Sequence, residues 1–232
     1  MTSPDTTRFR HFHDQLTTLK QRMLDMSAKA EALIDASVEA LVERDADKAE
    51  AVIEGDHEID TLELEVEQLA ISLLALQQPM ARDLRFLISA IKISSDLERV
   101  GDHAVNIAQS AQRLAVSGGT FELQPQIEDM ARRARQMLGD ALDAFVRSDG
   151  ALAREVCRSD DQVDALHDSV FRVLLTHMMA DPRTINPSLE VLLVSRNLER
   201  VADLATNIGE DAVFLAEGKT IKHNKEDGTR RR

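Results

Sequence analysis

The chain has 232 residues, 41 acidic against 28 basic, a formal net charge of −13, one Cys, no Trp, no Tyr and seven Phe. A single Cys excludes an internal disulfide framework and any Cys-based zinc site, and suits a reducing compartment. The apolar runs, of which Val191-Leu192-Leu193-Val194 is typical, fall far short of a membrane span, and the start Met1-Thr-Ser-Pro-Asp-Thr-Thr-Arg has no apolar signal region, so a soluble, cytoplasmic chain is expected.

Charge is uneven along the chain. Residues 219–232 hold Lys219, Lys222, Lys225, Arg230, Arg231 and Arg232 against Glu226 and Asp227, a net of +4 that leaves −17 on the preceding 218 residues. An acidic body repels phosphate backbones and the few aromatics offer bases little to stack on, which makes nucleic acid a poor candidate partner. The basic tail reads as a frayed, solvated end.

Gly and Pro cluster at Gln77-Gln78-Pro79, Ser117-Gly118-Gly119-Thr120, Asp181-Pro182 and Asn186-Pro187. Between these points apolar residues step by threes and fours. The first segment runs Leu16, Leu19, Met23, Met26, Ala30, Leu33, the second Leu62, Val66, Leu69, Leu73, Leu76, and the third Ile93, Leu97, Val100, Ala104, Ile107, Ala111, Leu114. A period near 3.5 is the seam of helices packed in a bundle, and no stretch alternates as a strand would.

The pattern then repeats in Ile127–Ala144, Val163–Val173 and Val191–Leu215. Shifted by 101, Ser94–Ala108 matches Ser195–Gly209 at nine of fifteen positions, and shifted by 104, residues 54–60 lie on 158–164. The expected fold is therefore all-α: two tandem, internally duplicated three-helix bundles of six helices, 1–118 and 119–218, joined near Ser117–Pro125 and followed by the tail 219–232. The Met residues follow the apolar stripe and read as core. Cys157 stands where the first copy has Ile53 and reads as a small buried apolar residue.

Recurring polar residues need a reason other than packing. The third helix of each copy repeats Glu98-x-x-x-Asp102 as Glu199-x-x-x-Asp203, followed by Asn106 or Asn207, and the second repeats Asp56-x-x-x-Asp60 as Asp160-x-x-x-Asp164. Spacing of four puts each set in a row on one helix face, away from the apolar stripe. Two like charges so placed cost about 0.2–0.5 kcal/mol per isolated pair. Two readings fit: a solvated face screened by Arg99 and Arg200, or an oxygen-ligand site for Mg²⁺, Mn²⁺ or iron with up to four carboxylates per bundle. Spacing alone does not say whether the two rows meet.

Other chemistry falls away. Di-iron carboxylate proteins use Glu-x-x-His on facing helices. Here Glu54-x-x-His57 lacks its His in the second copy, where Asp161 stands, and Asp164-x-x-His167 has Glu63 at the equivalent place in the first. There is no glycine-rich phosphate loop and no Ser-His-Asp or Cys-His set, so the chain is read as a non-enzyme, with a metal-storage or metal-redox bundle as the alternative.

The chain resembles the PhoU family of bacterial phosphate regulation. The resemblance rests on Val52-Ile-Glu-Gly-Asp56, Gln78-Pro-Met-Ala-Arg-Asp-Leu-Arg85, Asp96-Leu-Glu-Arg-Val-Gly-Asp102, Met178-Met-Ala-Asp-Pro-Arg-Thr-Ile185 and Asn197-Leu-Glu-Arg-Val-Ala-Asp203. It implies two three-helix bundles side by side, with divalent metal on E(D)-x-x-x-D motifs. The implied ligands are Asp56, Asp60, Glu98 and Asp102 in the first bundle and Asp160, Asp164, Glu199 and Asp203 in the second. Ala202 for Gly101 and Leu204 for His103 make the two sites non-equivalent. It further implies negative regulation of the phosphate starvation response, contact with a sensor histidine kinase and with the ATPase of the phosphate ABC transporter, and a homodimer.

Overall fold

The computed structural model describes residues 4–116 and 125–221. The elements are α1 (Pro4–Glu43), α2 (Ala46–Gly55), α3 (His57–Gln77), α4 (Ala81–Val116), α5 (Pro125–Arg147), α6 (Gly150–Ala180) and α7 (Ile185–Glu217), with a 3₁₀ turn at Pro182–Thr184. No strand occurs among the described residues. Between α2 and α3 only Asp56 interrupts the helix, and its backbone keeps helical angles (φ −62°, ψ −33°). The two therefore act as one bent rod, and the fold is the six-helix, all-α architecture expected. The join at 117–124, with the expected 118/119 division, and the tail from Lys222 lie outside the described residues.

How the halves meet was not visible in the periodicity. α1 packs on α4, α4 on α7, α7 on α5 and α5 on α1, a closed ring of four. The first and third helices of each half thus build a shared central bundle. The α2–α3 rod lies outside against α1 and α4, and α6 lies against α5 and α7. The buried apolar residues form a single core spanning both halves. Phe86 of α4 stacks on Phe145 of α5, centroids 5.0 Å apart and planes 9° from parallel. Along the α4–α7 contact, Arg113 pairs with Glu190 at 2.9 Å, His103 Nδ1 meets Asn197 Oδ1 at 2.9 Å, and Lys92 lies 3.8 Å from the buried Asp211. As the α4 number falls the α7 number rises, so the helices run antiparallel.

The duplication reaches into the turns. α1 ends with Asp45 N–H donating to Ala40 O and Arg44 N–H to Leu41 O, and α5 with Asp149 N–H donating to Ala144 O and Ser148 N–H to Phe145 O. These are Schellman closures with Arg44 (φ 54°) and Ser148 (φ 55°) in the left-handed position that glycine usually fills. In each turn the next residue caps the following helix: Asp45 accepts from Asp47 and Lys48 N–H, and Asp149 from Ala151 and Leu152 N–H.

Two expectations from the stripe are corrected. Met23, Met26, Met130 and Met137 are buried, but Met80 and Met179 are 81% and 79% exposed because each stands at the tip of a helical hairpin, beyond the packed seam. Cys157 is partly rather than fully buried, its Sγ 3.8 Å from Thr206 O.

The turns generate a stability prediction. Ser148→Gly should raise stability by about 0.5–1 kcal/mol by relieving the left-handed backbone, and Asp149→Ala should lower it by about 1 kcal/mol. Thermal denaturation should show these as melting shifts of roughly 2–4 °C in opposite directions.

Candidate functional site

The acidic rows do meet. α3 and α4 run antiparallel, and Asp56 lies on Gly101: a Cβ added there would sit 2.4 Å from Asp56 Oδ1 and 3.1 Å from Ile59 Cδ1. Gly101 is thus a cradle, and its helix-propensity cost of about 1 kcal/mol goes into seating a carboxylate against the α4 backbone. Asp56 Oδ1 is buried and has no hydrogen-bond partner.

The electrostatics report the same convergence. Burial, then Asp102, Glu63, Asp60 and Asp56, push the Glu98 carboxyl up to about 6. Burial, then Asp60 and Asp102, raise that of Asp56, with His57 opposing. Burial raises Glu63, against a hydrogen bond from Ser95. All four expected residues, Asp56, Asp60, Glu98 and Asp102, therefore share one field. Glu63 joins them, a residue that sequence reasoning passed over; its signal was that it continues the row as Asp56, Asp60, Glu63, Glu67.

The second half is a weakened copy. Burial and the charges of Glu199, Asp203, Asp161 and Asp168 raise the Asp164 carboxyl, so Asp164, Glu199 and Asp203 converge as well. Asp160 is half-buried beside them in sequence and carries a buried Oδ1. Three differences separate the halves. Ala202, fully buried, fills the place of Gly101. Arg200 is bonded to Asp203 at 2.7 Å, whereas Arg99 turns to Asp96 at 3.5 Å and leaves Asp102 aside. His167 takes the position of Glu63 and meets Ser195 Oγ at 3.0 Å.

As the side chains stand, no group of three or more His, Cys, Asp or Glu among the described residues is closed tightly enough to hold a metal ion. The donor set is nonetheless all carboxylate in the first half. With an orphaned oxygen on a glycine cradle and a desolvated Glu98, the chemistry of this donor set is that of a ligand set for a hard divalent cation. Among the described residues no helix is long and apolar enough to cross a membrane.

A profile described as the PhoU domain matches residues 23–111 and again 127–212. The chain belongs to the PhoU family. It is 41% identical over 210 residues to the phosphate-specific transport system accessory protein PhoU homolog of Caulobacter vibrioides, covering 90% of this chain and 91% of that one. With the protein of the same description from Clostridium acetobutylicum it shares 38% over 214 residues, 92% and 97% of the two chains. The crystal structure of PhoU from Pseudomonas aeruginosa superposes with a TM-score of 0.85 at 35% identity, covering 90% of this chain and all of that one. That of the phosphate transport system regulatory protein PhoU from Streptococcus pneumoniae gives 0.83 at 31%, covering 90% and 98%. Each PhoU-matched stretch contains one complete set of acidic rows.

The raised Glu98 carboxyl has a consequence for stability. Between about 4.5 and about 6 the folded chain holds more proton at Glu98 than the unfolded chain, so stability falls as pH rises through that window. With chelator present, the melting temperature of Glu98→Gln should gain on that of the parent across this window and level off above it. After solvent screening the gain corresponds to less than about 1 kcal/mol. A flat difference across the window would show that Glu98 titrates normally.

Proposed function

We propose that this chain is an accessory regulator of a phosphate-specific transport system, holding the phosphate starvation response off when phosphate is plentiful. The observation that carries this is the family match over both halves, to near full-length relatives described as phosphate-specific transport system accessory proteins. The chain acts in the cytoplasm, by contact rather than catalysis, as a homodimer. Its partners are the sensor histidine kinase of the phosphate two-component system and the ATPase of the phosphate ABC transporter. A rigid ring of four helices with charged outer faces suits a body that other proteins read.

In the same reading, Asp56, Asp60, Glu98 and Asp102 hold a divalent cation, Mg²⁺, Mn²⁺ or iron. Asp160, Asp164, Glu199 and Asp203 form a second, weaker site. A bound cation supplies positive charge that relieves the repulsion among these carboxylates, and the residues of the chain do the rest by presenting them on a fixed face. Storage or redox chemistry is the less favoured reading. His57 is 87% exposed beside Asp60, and His167 is engaged with Ser195, so neither gives the paired inward imidazoles of di-iron sites.

The deciding experiment is transcription from a phosphate-starvation promoter in a deletion strain grown with ample phosphate. Deletion should switch the promoter on and the wild-type chain should silence it; a promoter that stays silent on deletion removes the regulator reading. Complementation with Glu98→Gln, Asp102→Asn, Glu199→Gln and Asp203→Asn combined should restore silencing only in part.

Metal content is read separately on purified protein. The combined variant should lose most bound divalent metal. Gly101→Ala, which gives the first half the residue of the second, should lower metal affinity about tenfold while moving stability by less than about 1 kcal/mol. Unchanged metal content in both variants removes the metal half of the proposal.

A further inference from the structure

The outer faces of the two hairpins carry more than carboxylates. On α4, Leu84 and Ile88 are each 38% exposed, and on α3 Ile71 is 50% exposed. Their counterparts in the second half are Ile185 at 39%, Leu189 at 46% and Leu175 at 45%, displaced by the same 101 or 104 residues as the rest of the duplication. Core packing does not explain apolar residues that recur in both copies yet stay exposed in both.

Their placement relative to the acidic rows is regular. Leu84 and Ile88 stand fourteen residues before Glu98 and Asp102, as Ile185 and Leu189 stand before Glu199 and Asp203. Fourteen residues are close to four helical turns, so apolar and acidic groups lie on one face of the helix, about 21 Å apart. The antiparallel register that brings Asp56 to Gly101 and Glu63 to Ser95 places Ile71 opposite residues 86–87, next to Ile88, so α3 contributes to both ends of the same strip. Each hairpin thus presents a strip that is apolar near its tip and anionic farther along.

We infer that the α3–α4 strip is a docking surface for an amphipathic, cationic helix of a partner protein, its apolar side chains on Leu84, Ile88 and Ile71 and its Lys or Arg side chains on the carboxylates about 21 Å along. Charge selects this occupant. A second copy of the chain brings a net of −13 and the same carboxylates, so face-to-face self-association sets like charges together. A cationic helix instead meets both chemistries in register, the helix-in-groove mode of recognition. The α6–α7 strip is the weaker acceptor: Arg200 already occupies Asp203, and His167 and Phe171 stand where the first half has Glu63 and Glu67. The inference rests on the reading of the chain as an adaptor, concerns the strip with no cation on its carboxylates, and adds where the partner sits and what its surface carries.

The test uses the full chain with chelator present and a labelled helical peptide of Leu, Lys and Ala, about 18 residues long, with Leu and Lys at opposite ends of one face. A scrambled peptide of the same composition serves as control. Fluorescence anisotropy should show the ordered peptide binding at least about tenfold tighter than the scrambled one. Leu84→Glu with Ile88→Glu, and separately Glu98→Gln with Asp102→Asn, should each weaken it about tenfold, whereas Ile185→Glu with Leu189→Glu should change it less than about threefold. All six positions are at least partly exposed, and circular dichroism confirms that the variants fold. Equal binding of the scrambled peptide, or indifference to Leu84→Glu with Ile88→Glu, overturns the inference. So does a sedimentation result in which those two changes turn a dimer into a monomer, because the strip would then be covered by a second copy. Promoter silencing that persists without peptide binding leaves the adaptor reading intact and removes only the docking surface.

Discussion

Where α4 crosses α7, Leu97, Val100 and Ala104 of one helix and Leu198, Val201 and Ala205 of the other are all fully buried, and each residue of the first set is related to one of the second by the same shift of 101. Packing two copies of one helix antiparallel creates a local twofold relation whose axis passes near Arg99–Val100 and Arg200–Val201. Everything else follows from that contact. It closes the ring with α1 and α5, so the two halves share one core and are not merely tethered. It also makes the outward side of α4 and the outward side of α7 equivalent by geometry, so residues 101 apart stand at equivalent places. The side-chain clasps from Lys92 to Asp211 and from Arg113 to Glu190 sit toward opposite ends of the same contact and pin its register.

Symmetry of the frame gives meaning to each departure from it. Gly101 and Ala202 occupy the same place, and the lost methyl is what lets Asp56 sit against α4. Arg99 and Arg200 occupy the same place, yet one engages Asp96 and the other Asp203. His103, whose protonation is opposed mainly by burial, meets Asn197 across the contact where the second half has a buried Leu204. The arginine change leaves Asp102 of the first half without the guanidinium that Asp203 has in the second. A duplicated scaffold has become a pair of unequal faces with no change in helix packing.

The all-α architecture, the six helical rods and the duplication were legible because helix packing demands a period near 3.5 and a copied helix repeats it residue for residue. The acidic rows were legible as rows because i, i+4 spacing fixes a common face. Their convergence was not, since it depends on the register between α3 and α4, and that register is set by Ile59, Val66 and Leu73 packing into the core together with the Asp56 interruption. The central ring was equally hidden: a periodic stripe says that a helix is buried on one side, not which neighbour covers it. Met80, Met179 and the tips around them escaped for a related reason. Met179 continues its stripe to the last turn of α6, past the packed seam, and Met80 stands in the turn between α3 and α4.

The energetics of the first acidic face point outward. A Glu98 carboxyl raised first by burial and then by four neighbouring carboxylates, and an Asp56 oxygen with no hydrogen bond, are each unfavourable for the isolated chain. Nothing in the packing of α3 requires them, because its Ile59, Val66 and Leu73 are already buried in the core. Neutral side chains at the same positions would leave that packing intact and remove the repulsion. In a protein that is only marginally stable, groups kept at such a cost point to a role other than packing. The clustered carboxylates are thus costly in the chain alone, and under the proposed reading a cation or the basic side of another helix relieves that cost.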